Sequence, residues 1–197
     1  MEKQLWALIL GSSSGFGEAT SLELARLGYN IFGVHLDRRV TMPHVEELIG
    51  KIKGLGREAV FFNVNASDEE KRKEIIARMR EEFAARPGTV RVMLHSLAFG
   101  TLVPYVLGEK VVTKAQMEMS LDVMANSLVY WTQDLVAAGL MEEGGRIYTM
   151  TSSGGTRVWP SYGPVSAAKA ALESHVRQLA LELTPKDRKS TRLNSSH

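Results

Sequence analysis

Tyr162 and Lys169 stand seven positions apart in the stretch SYGPVSAAKAALESHVRQLALEL, residues 161–183. A phenol has an unperturbed pKa of about 10, and a nearby cation lowers it toward a range useful for proton exchange. The pair is therefore a candidate for acid–base chemistry. The plainer alternatives are a tyrosine packed before a helix and a lysine that snorkels from an apolar edge. Val165, Ala168, Leu172, Val176, Leu179 and Leu183 recur at spacings of three and four, which predicts one buried helix face. Lys169 neighbours Val165 and Leu172 and so falls at the edge of that stripe. Upstream, Thr151, Ser152 and Ser153 offer hydroxyls that suit either a substrate carbonyl or a strand-end cap.

A second constellation lies near the N-terminus. Gly11, Gly15 and Gly17 have the spacing G-x-x-x-G-x-G, directly after the apolar run LWALIL and at the start of a helical pattern. A strand, a glycine turn and a helix N-terminus together make a pyrophosphate cradle: the glycines permit a tight turn and close approach, and the helix end supplies N–H donors. Ser12, Ser13 and Ser14 add hydroxyls, and Phe16 sits inside the same loop. A ligand-free glycine-rich turn is the alternative, but this position in an alternating chain favours a dinucleotide. At the end of the next apolar run stand His35 and then Asp37, Arg38 and Arg39. Asp37 suits a ribose diol, whereas the arginines suit a 2′-phosphate. The absence of an acid at His35 points to NADPH, with Arg38 as a phosphate partner, over NADH.

These residues need elements to hold them. The unalternating apolar run over residues 5–10 reads as a strand buried on both faces, and residues 30–36, 59–64, 90–96 and GRIYTMTS over 145–152 read as further strands. Between them fall a helix with Ala19, Leu22 and Ala25 on one face, a helix opened by Thr41, Met42 and Pro43, and a charged helix capped by Ser67 with Glu70. Thr113 and Gln116 predict a further capping box, with one helix running to about Met141 and Met117, Met124, Leu128 and Leu135 facing the core. Pro164 suits the first turn of the last helix. Alternating strands and helices imply βαβ units and one doubly wound parallel sheet.

Composition narrows the function. The 197 residues include no Cys, carry a formal charge of +2 and are 44% hydrophobic. That predicts one domain with a sizeable core and a reducing, cytoplasmic setting, without disulfides or thiolate metal sites. Near-balanced charge supplies no footprint for nucleic acid or a membrane surface. The five His show no metal-binding spacing, and no G-x-S-x-G elbow supports a hydrolase.

The glycine spacing, Asn63-Val64 at the end of the third strand, His95-Ser96-Leu97-Ala98 after the fourth and the Tyr/Lys segment resemble the short-chain dehydrogenase/reductase superfamily, over residues 5 to about 186. The resemblance implies α/β architecture: a three-layer doubly wound parallel sheet, the Rossmann fold, with its C-terminal strands missing. It implies that Gly11, Ser13, Ser14, Gly15, Phe16, Gly17, His35, Arg38, Asn63, Val64, Ser96, Leu97, Ala98 and Lys169 bind NADPH or NADH. It also implies that Lys169 holds the nicotinamide ribose and favours the phenolate of a catalytic tyrosine. Most members carry that tyrosine four positions before the lysine, where this chain has Val165. Tyr-x6-Lys instead resembles the enoyl-acyl-carrier-protein reductase branch, as do HSLAFG and Met124 in place of a helical Asn. Many such reductases have a second tyrosine ten residues before the first, and here that place is Ser152. The implied activity is reduction of a trans-2-enoyl thioester of acyl carrier protein or coenzyme A in fatty acid biosynthesis, by a homo-oligomer (dimer or tetramer), with Tyr162, Lys169 and Ser152 catalytic. A carbonyl reductase such as a 3-ketoacyl reductase is the alternative.

After Pro185 the periodicity stops, and KSTRLNSSH resembles translated sequencing-adaptor read-through. The expectation is an NAD(P)-binding domain over residues 1–186 and a non-native, disordered tail over 187–197, with no strand after the last helix. By the resemblance, the natural continuation holds the last strands, the acyl-chain loop and much of the oligomer interface. A chain without them is expected to be inactive or to bind nucleotide weakly.

Overall fold

The computed structural model describes residues 3–184 and, as backbone, 189–193. In chain order the elements are β1 (Gln4–Leu10), α1 (Gly15–Arg26), β2 (Asn30–His35), α2 (Met42–Gly54), β3 (Ala59–Asn63), α3 (Glu69–Ala85) and β4 (Gly88–His95). There follow α4 (Lys114–Leu121), a π-helical segment (Asp122–Asn126), α5 (Ser127–Ala137), β5 (Arg146–Met150), a 3₁₀ turn (Ser153–Gly155), α6 (Gly163–Leu183) and β6 (Lys189–Leu193). The strands form one sheet in the order β3-β2-β1-β4-β5-β6, parallel throughout. Consecutive units step outward from β1 in one direction and then, from β4 onward, in the other. The carboxyl ends of β1 and β4 therefore flank a switch point, where open parallel sheets leave a crevice.

β1 is buried from Trp6 to Leu10, as an apolar run without alternation requires. Successive side chains alternate between faces. Trp6, Leu8 and Leu10 join Phe32, Met93, Trp131 and Leu172 on one side, while Ala7 and Ile9 join Ala25, Leu48 and Ile52 on the other. Trp6 and Phe32 stack at 4.1 Å between centroids, and Phe83 tilts against both. Helices thus cover both faces and complete three layers.

Four details differ from the sequence reading. The cap of α3 is Asp68, whose carboxylate accepts from Lys71 N–H at 3.0 Å, because Asn65 Oδ1 already takes both the N–H and the hydroxyl of Ser67. The Thr113/Gln116 capping box is present, but the helix behind it ends at Ala137 and is interrupted by the π-helical segment. Met117 is only partly buried there, whereas Met124, Leu128 and Leu135 are in the core. Finally, Lys189–Leu193 pair in parallel with β5, where the sequence reading expected disordered tail. An open strand edge accepts any extended backbone, since its N–H and C=O groups do not read side chains. The rest of that expectation falls on residues 187–188 and 194–197, outside the described residues.

The interruption has a side-chain anchor. Ser127 Oγ donates to Val123 O at 2.8 Å, so it accepts from His95 Nε2–H at 2.9 Å. That fixes His95, fully buried at the end of β4, as the Nε2–H tautomer. Burial, and secondarily the charge of Lys169, pushes His95 down to about 3, so the ring stays neutral at working pH. The segment held this way turns Val123 and Met124 toward two neighbouring cavities.

Candidate active site

Two cavities open along the C-terminal edge of the sheet, of about 390 Å³ and about 290 Å³. Their walls share Phe16, Ser96, Leu97 and Ala98, so they form one path across the switch point. The larger is floored by the loop between β1 and α1. Gly11 there has φ +87°, and a Cβ at Gly17 would lie 1.9 Å from the Gly11 carbonyl oxygen, so the turn closes only with glycine. Gly15 has φ +56° and nothing within 4 Å of a Cβ position, so a side chain there would stand in the space a phosphate needs. These residues fit a dinucleotide.

Gly11, Ser13, Ser14, Gly15 and Phe16 line this cavity, and so do His35, Val64, Ser96, Leu97 and Ala98. Gly17 supports the loop from inside the helix. Ser12 is fully buried and donates to Val34 O, so its hydroxyl faces the core instead of a ligand. Asn63 does not line the cavity. Its amide accepts from Asp37 N–H at 2.9 Å and donates to Asp37 O at 3.0 Å, which fastens the loop after β2. Arg38 is exposed and also lies outside the cavity wall. Asn65, Ala66 and Val123 line it too, although no motif marked them.

Asp37, like Arg38, is not part of the cavity wall, but it bonds to His35 and Ser13, which are. Its carboxylate pairs with His35 Nδ1 at 2.9 Å and accepts from Thr41 Oγ1 at 2.7 Å. Burial pushes this carboxyl up, but hydrogen bonds from Ser13, Thr41 and His35, together with the His35 charge, outweigh burial and hold it below the usual carboxylate range.

The second cavity brings Ser152, Tyr162 and Lys169 into one wall. Ser152 Oγ lies 3.2 Å from Tyr162 Oη and accepts from Gly154 N–H at 3.1 Å. The neighbouring hydroxyls are committed elsewhere or stand aside: Thr151 Oγ1 donates to Glu173 Oε1 at 2.8 Å, and Ser153 heads the 3₁₀ turn. Lys169, only 4% exposed, donates to Met150 O at 2.7 Å and Leu97 O at 3.2 Å. An ammonium has three donors, so one remains for a ligand hydroxyl. Desolvation lowers Lys169 to about 8, and the group is still protonated at neutral pH.

The seven-residue spacing now has a geometric reading. Tyr162 is the N-cap of α6 and Lys169 lies two turns on. Seven residues at 3.6 per turn return to nearly the same face, roughly 10 Å along the axis. Helical side chains lean toward the N-terminus, which carries the lysine stem back toward the tyrosine. Val165, where the commoner spacing would put a phenol, is buried with Met124, Val123 and Ala168.

A family model described as Enoyl-(Acyl carrier protein) reductase matches residues 11–195. The chain belongs to this family. Within the short-chain dehydrogenase/reductases, it is 29% identical over 171 residues to an NADH-dependent enoyl-acyl-carrier-protein reductase of Nostoc sp., covering 87% of this chain and 62% of that protein. It is 29% identical over 188 residues to a very-long-chain 3-oxoacyl-CoA reductase of Coccidioides immitis, covering 93% and 50%. It is 28% identical over 180 residues to 1-cyclohexenylcarbonyl-CoA reductase of Streptomyces collinus, covering 91% and 59%. The chain therefore spans only 50–62% of these relatives. The crystal structure of the enoyl reductase (NADH) from Aquifex aeolicus shares the fold with a TM-score of 0.81 at 24% identity, covering 100% of this chain and 74% of that one. Among the described residues no helix is long and apolar enough to cross a membrane, and no His/Asp/Glu cluster suits a metal.

The buried ammonium makes stability depend on pH in a defined direction. Lys169 titrates near 8 in the folded chain and near 10.5 when free, so between these values the unfolded chain holds a proton that the folded one has lost. Stability from this group therefore rises with pH across that window. Urea unfolding at pH 7.5 and pH 10 is expected to show wild type gaining about 2–3 kcal/mol relative to Lys169→Met. An equal change in both proteins would contradict the burial of a charged lysine.

Proposed function

We propose that this chain carries the dinucleotide-binding and catalytic part of an oxidoreductase that reduces the 2,3 double bond of a trans-2-enoyl thioester of acyl carrier protein or coenzyme A. The observation that carries the reading is the position of Tyr162, hydrogen-bonded to Ser152 in one wall with Lys169, while apolar Val165 fills the place of the commoner catalytic phenol. When bound, NAD(P)H supplies a hydride to the β-carbon of the enoyl group. The Gly11–Gly17 loop and the N-terminus of α1 would hold its pyrophosphate, and the remaining Lys169 donor would hold a ribose hydroxyl.

As the β-carbon gains its electron pair, negative charge develops on the thioester oxygen. Tyr162 Oη–H donates to that oxygen, with Ser152 Oγ beside it as a second donor or as the group that orients the phenol. Lys169 adds a fixed positive charge in a largely dry wall, where it acts more strongly than in water. A proton then reaches the α-carbon and gives the saturated acyl thioester. The family likeness supports a place in fatty acid biosynthesis and a cytoplasmic homo-oligomer, dimer or tetramer.

The 3-oxoacyl-CoA reductase relative supports a second reading, in which the hydride goes to a ketone. Rates of dinucleotide oxidation with crotonyl-thioester and acetoacetyl-thioester separate the two. The proposal expects faster enoyl turnover, and a loss of about 10²–10³ in kcat for Tyr162→Phe. Preference for the keto substrate, or near-full activity in Tyr162→Phe, would overturn it.

For the cofactor, the ionised Asp37 beside Ser13 supports NADH, because a 2′-phosphate there would meet a carboxylate. The expectation of NADPH rested on Arg38 and Arg39 and on the missing acid at His35; both arginines are exposed, and neither they nor Asp37 line the cavity wall. Comparison of kcat/KM for NADH and NADPH should favour NADH, and Asp37→Ala should raise the NADPH/NADH ratio about ten-fold or more. An unchanged ratio would remove Asp37 from cofactor choice.

A further inference from the structure

Tyr162 precedes the regular part of α6, so the helix alone does not aim its ring. Two features of the surrounding backbone do. Trp159, Pro160, Ser161 and Tyr162 form a turn closed by Tyr162 N–H donating to Trp159 O at 3.2 Å. Proline at its second place and φ +58° at its third, Ser161, are the signature of a type II turn. That third place normally takes Gly or Asn, because a positive φ crowds a Cβ. Among the described residues Ser161 is the one non-glycine with positive φ, and its side chain is exposed.

The second feature lies beneath the ring. A Cβ at Gly154 would stand 2.3 Å from Tyr162 Cε1 and 2.7 Å from Cδ1, so the ring rests directly on bare backbone. Gly154 is itself held from two sides. Its N–H donates to Ser152 Oγ at 3.1 Å, and its carbonyl accepts from Ser166 Oγ in the first turn of α6. Ser166 N–H in turn donates to Tyr162 O at 2.8 Å. Hydroxyl, ring seat and helix start are thereby linked through three residues.

We propose that Ser161 and Gly154 are positioning residues for Tyr162: the left-handed backbone at Ser161 swings the ring off the helix axis, and the bare face of Gly154 seats it so that Oη meets Ser152. Strained non-glycine backbone persists where its surroundings over-determine it, and it clusters at functional sites. The inference rests on Tyr162 being the catalytic donor.

The test compares Tyr162→Phe, Gly154→Ala, Ser161→Val and Ser161→Gly in the purified protein, reading kcat and KM with crotonyl-thioester, and NADH affinity by fluorescence. Gly154→Ala and Ser161→Val are expected to lose about ten-fold or more in kcat while NADH affinity stays within about two-fold. Ser161→Gly accepts the same backbone without a Cβ and is expected to keep about half or more of kcat. Wild-type kcat in Ser161→Val or Gly154→Ala would overturn the proposal. So would a loss in Ser161→Gly as deep as in Ser161→Val, since the side chain would then matter and not the backbone. If Gly154→Ala does not fold, the two Ser161 variants decide. Near-full activity in Tyr162→Phe would instead overturn the functional reading, which keeps the two failures apart.

Discussion

The ammonium of Lys169 ties three chain segments together. It leaves α6 and bonds the carbonyls of Leu97, just beyond β4, and Met150, at the end of β5. Burying a cation is costly, and two carbonyl dipoles offset only part of that cost, as the lowering of Lys169 toward 8 records. A fold seeking stability alone would place a leucine there. The cost is consistent with a functional group, because perturbed ionisable residues gather where chemistry needs them. Both cavities meet at the Leu97 segment, so the same bonds that hold the lysine also shape the path between them.

The sheet topology makes such a meeting point possible. Strand order reverses beside β1, and the loops after β1 and β4 are left facing one crevice. The glycines after β1 bring backbone close to that crevice, and β4 delivers Ser96, Leu97 and Ala98 to its other side. On α6, two helical turns separate Tyr162 from Lys169, and both line the second cavity. Val165 on the intervening turn packs into the apolar cluster of Val123 and Met124. The long Tyr–Lys spacing and the apolar residue between are thus two sides of one arrangement.

Much of this was legible in the residues, and the exceptions have physical reasons. Apolar runs locate β1, β2 and β4 because a parallel sheet buries both faces of its inner strands, β3 and β5 are legible although only partly buried, and the glycine loop announces a phosphate cradle through backbone sterics. The π-helical segment was not legible, since apolar spacing does not report which carbonyl an N–H chooses, and its anchor, His95, lies 32 residues from Ser127. Ser67 and Glu70 match a capping box, yet Asn65 captures the serine and leaves Asp68 to cap. Asp37 was legible as a ribose partner, but its fastening by Asn63, 26 residues away, was not. β6 pairs with β5 through backbone in a stretch whose side-chain pattern announces no strand.

The central claim is that hydride arrives at the β-carbon of a C=C bond and not at a carbonyl carbon, with the Tyr162–Lys169 pair serving an enolate. The most direct measurement supplies the enzyme with NADH deuterated at the transferable position, and with equal amounts of a trans-2-enoyl and a 3-oxoacyl thioester. Mass spectrometry and NMR of the products then locate the label. The account predicts deuterium at C3 of a saturated acyl thioester. Deuterium on the carbinol carbon of a 3-hydroxyacyl thioester, with the enoyl substrate untouched, would contradict it.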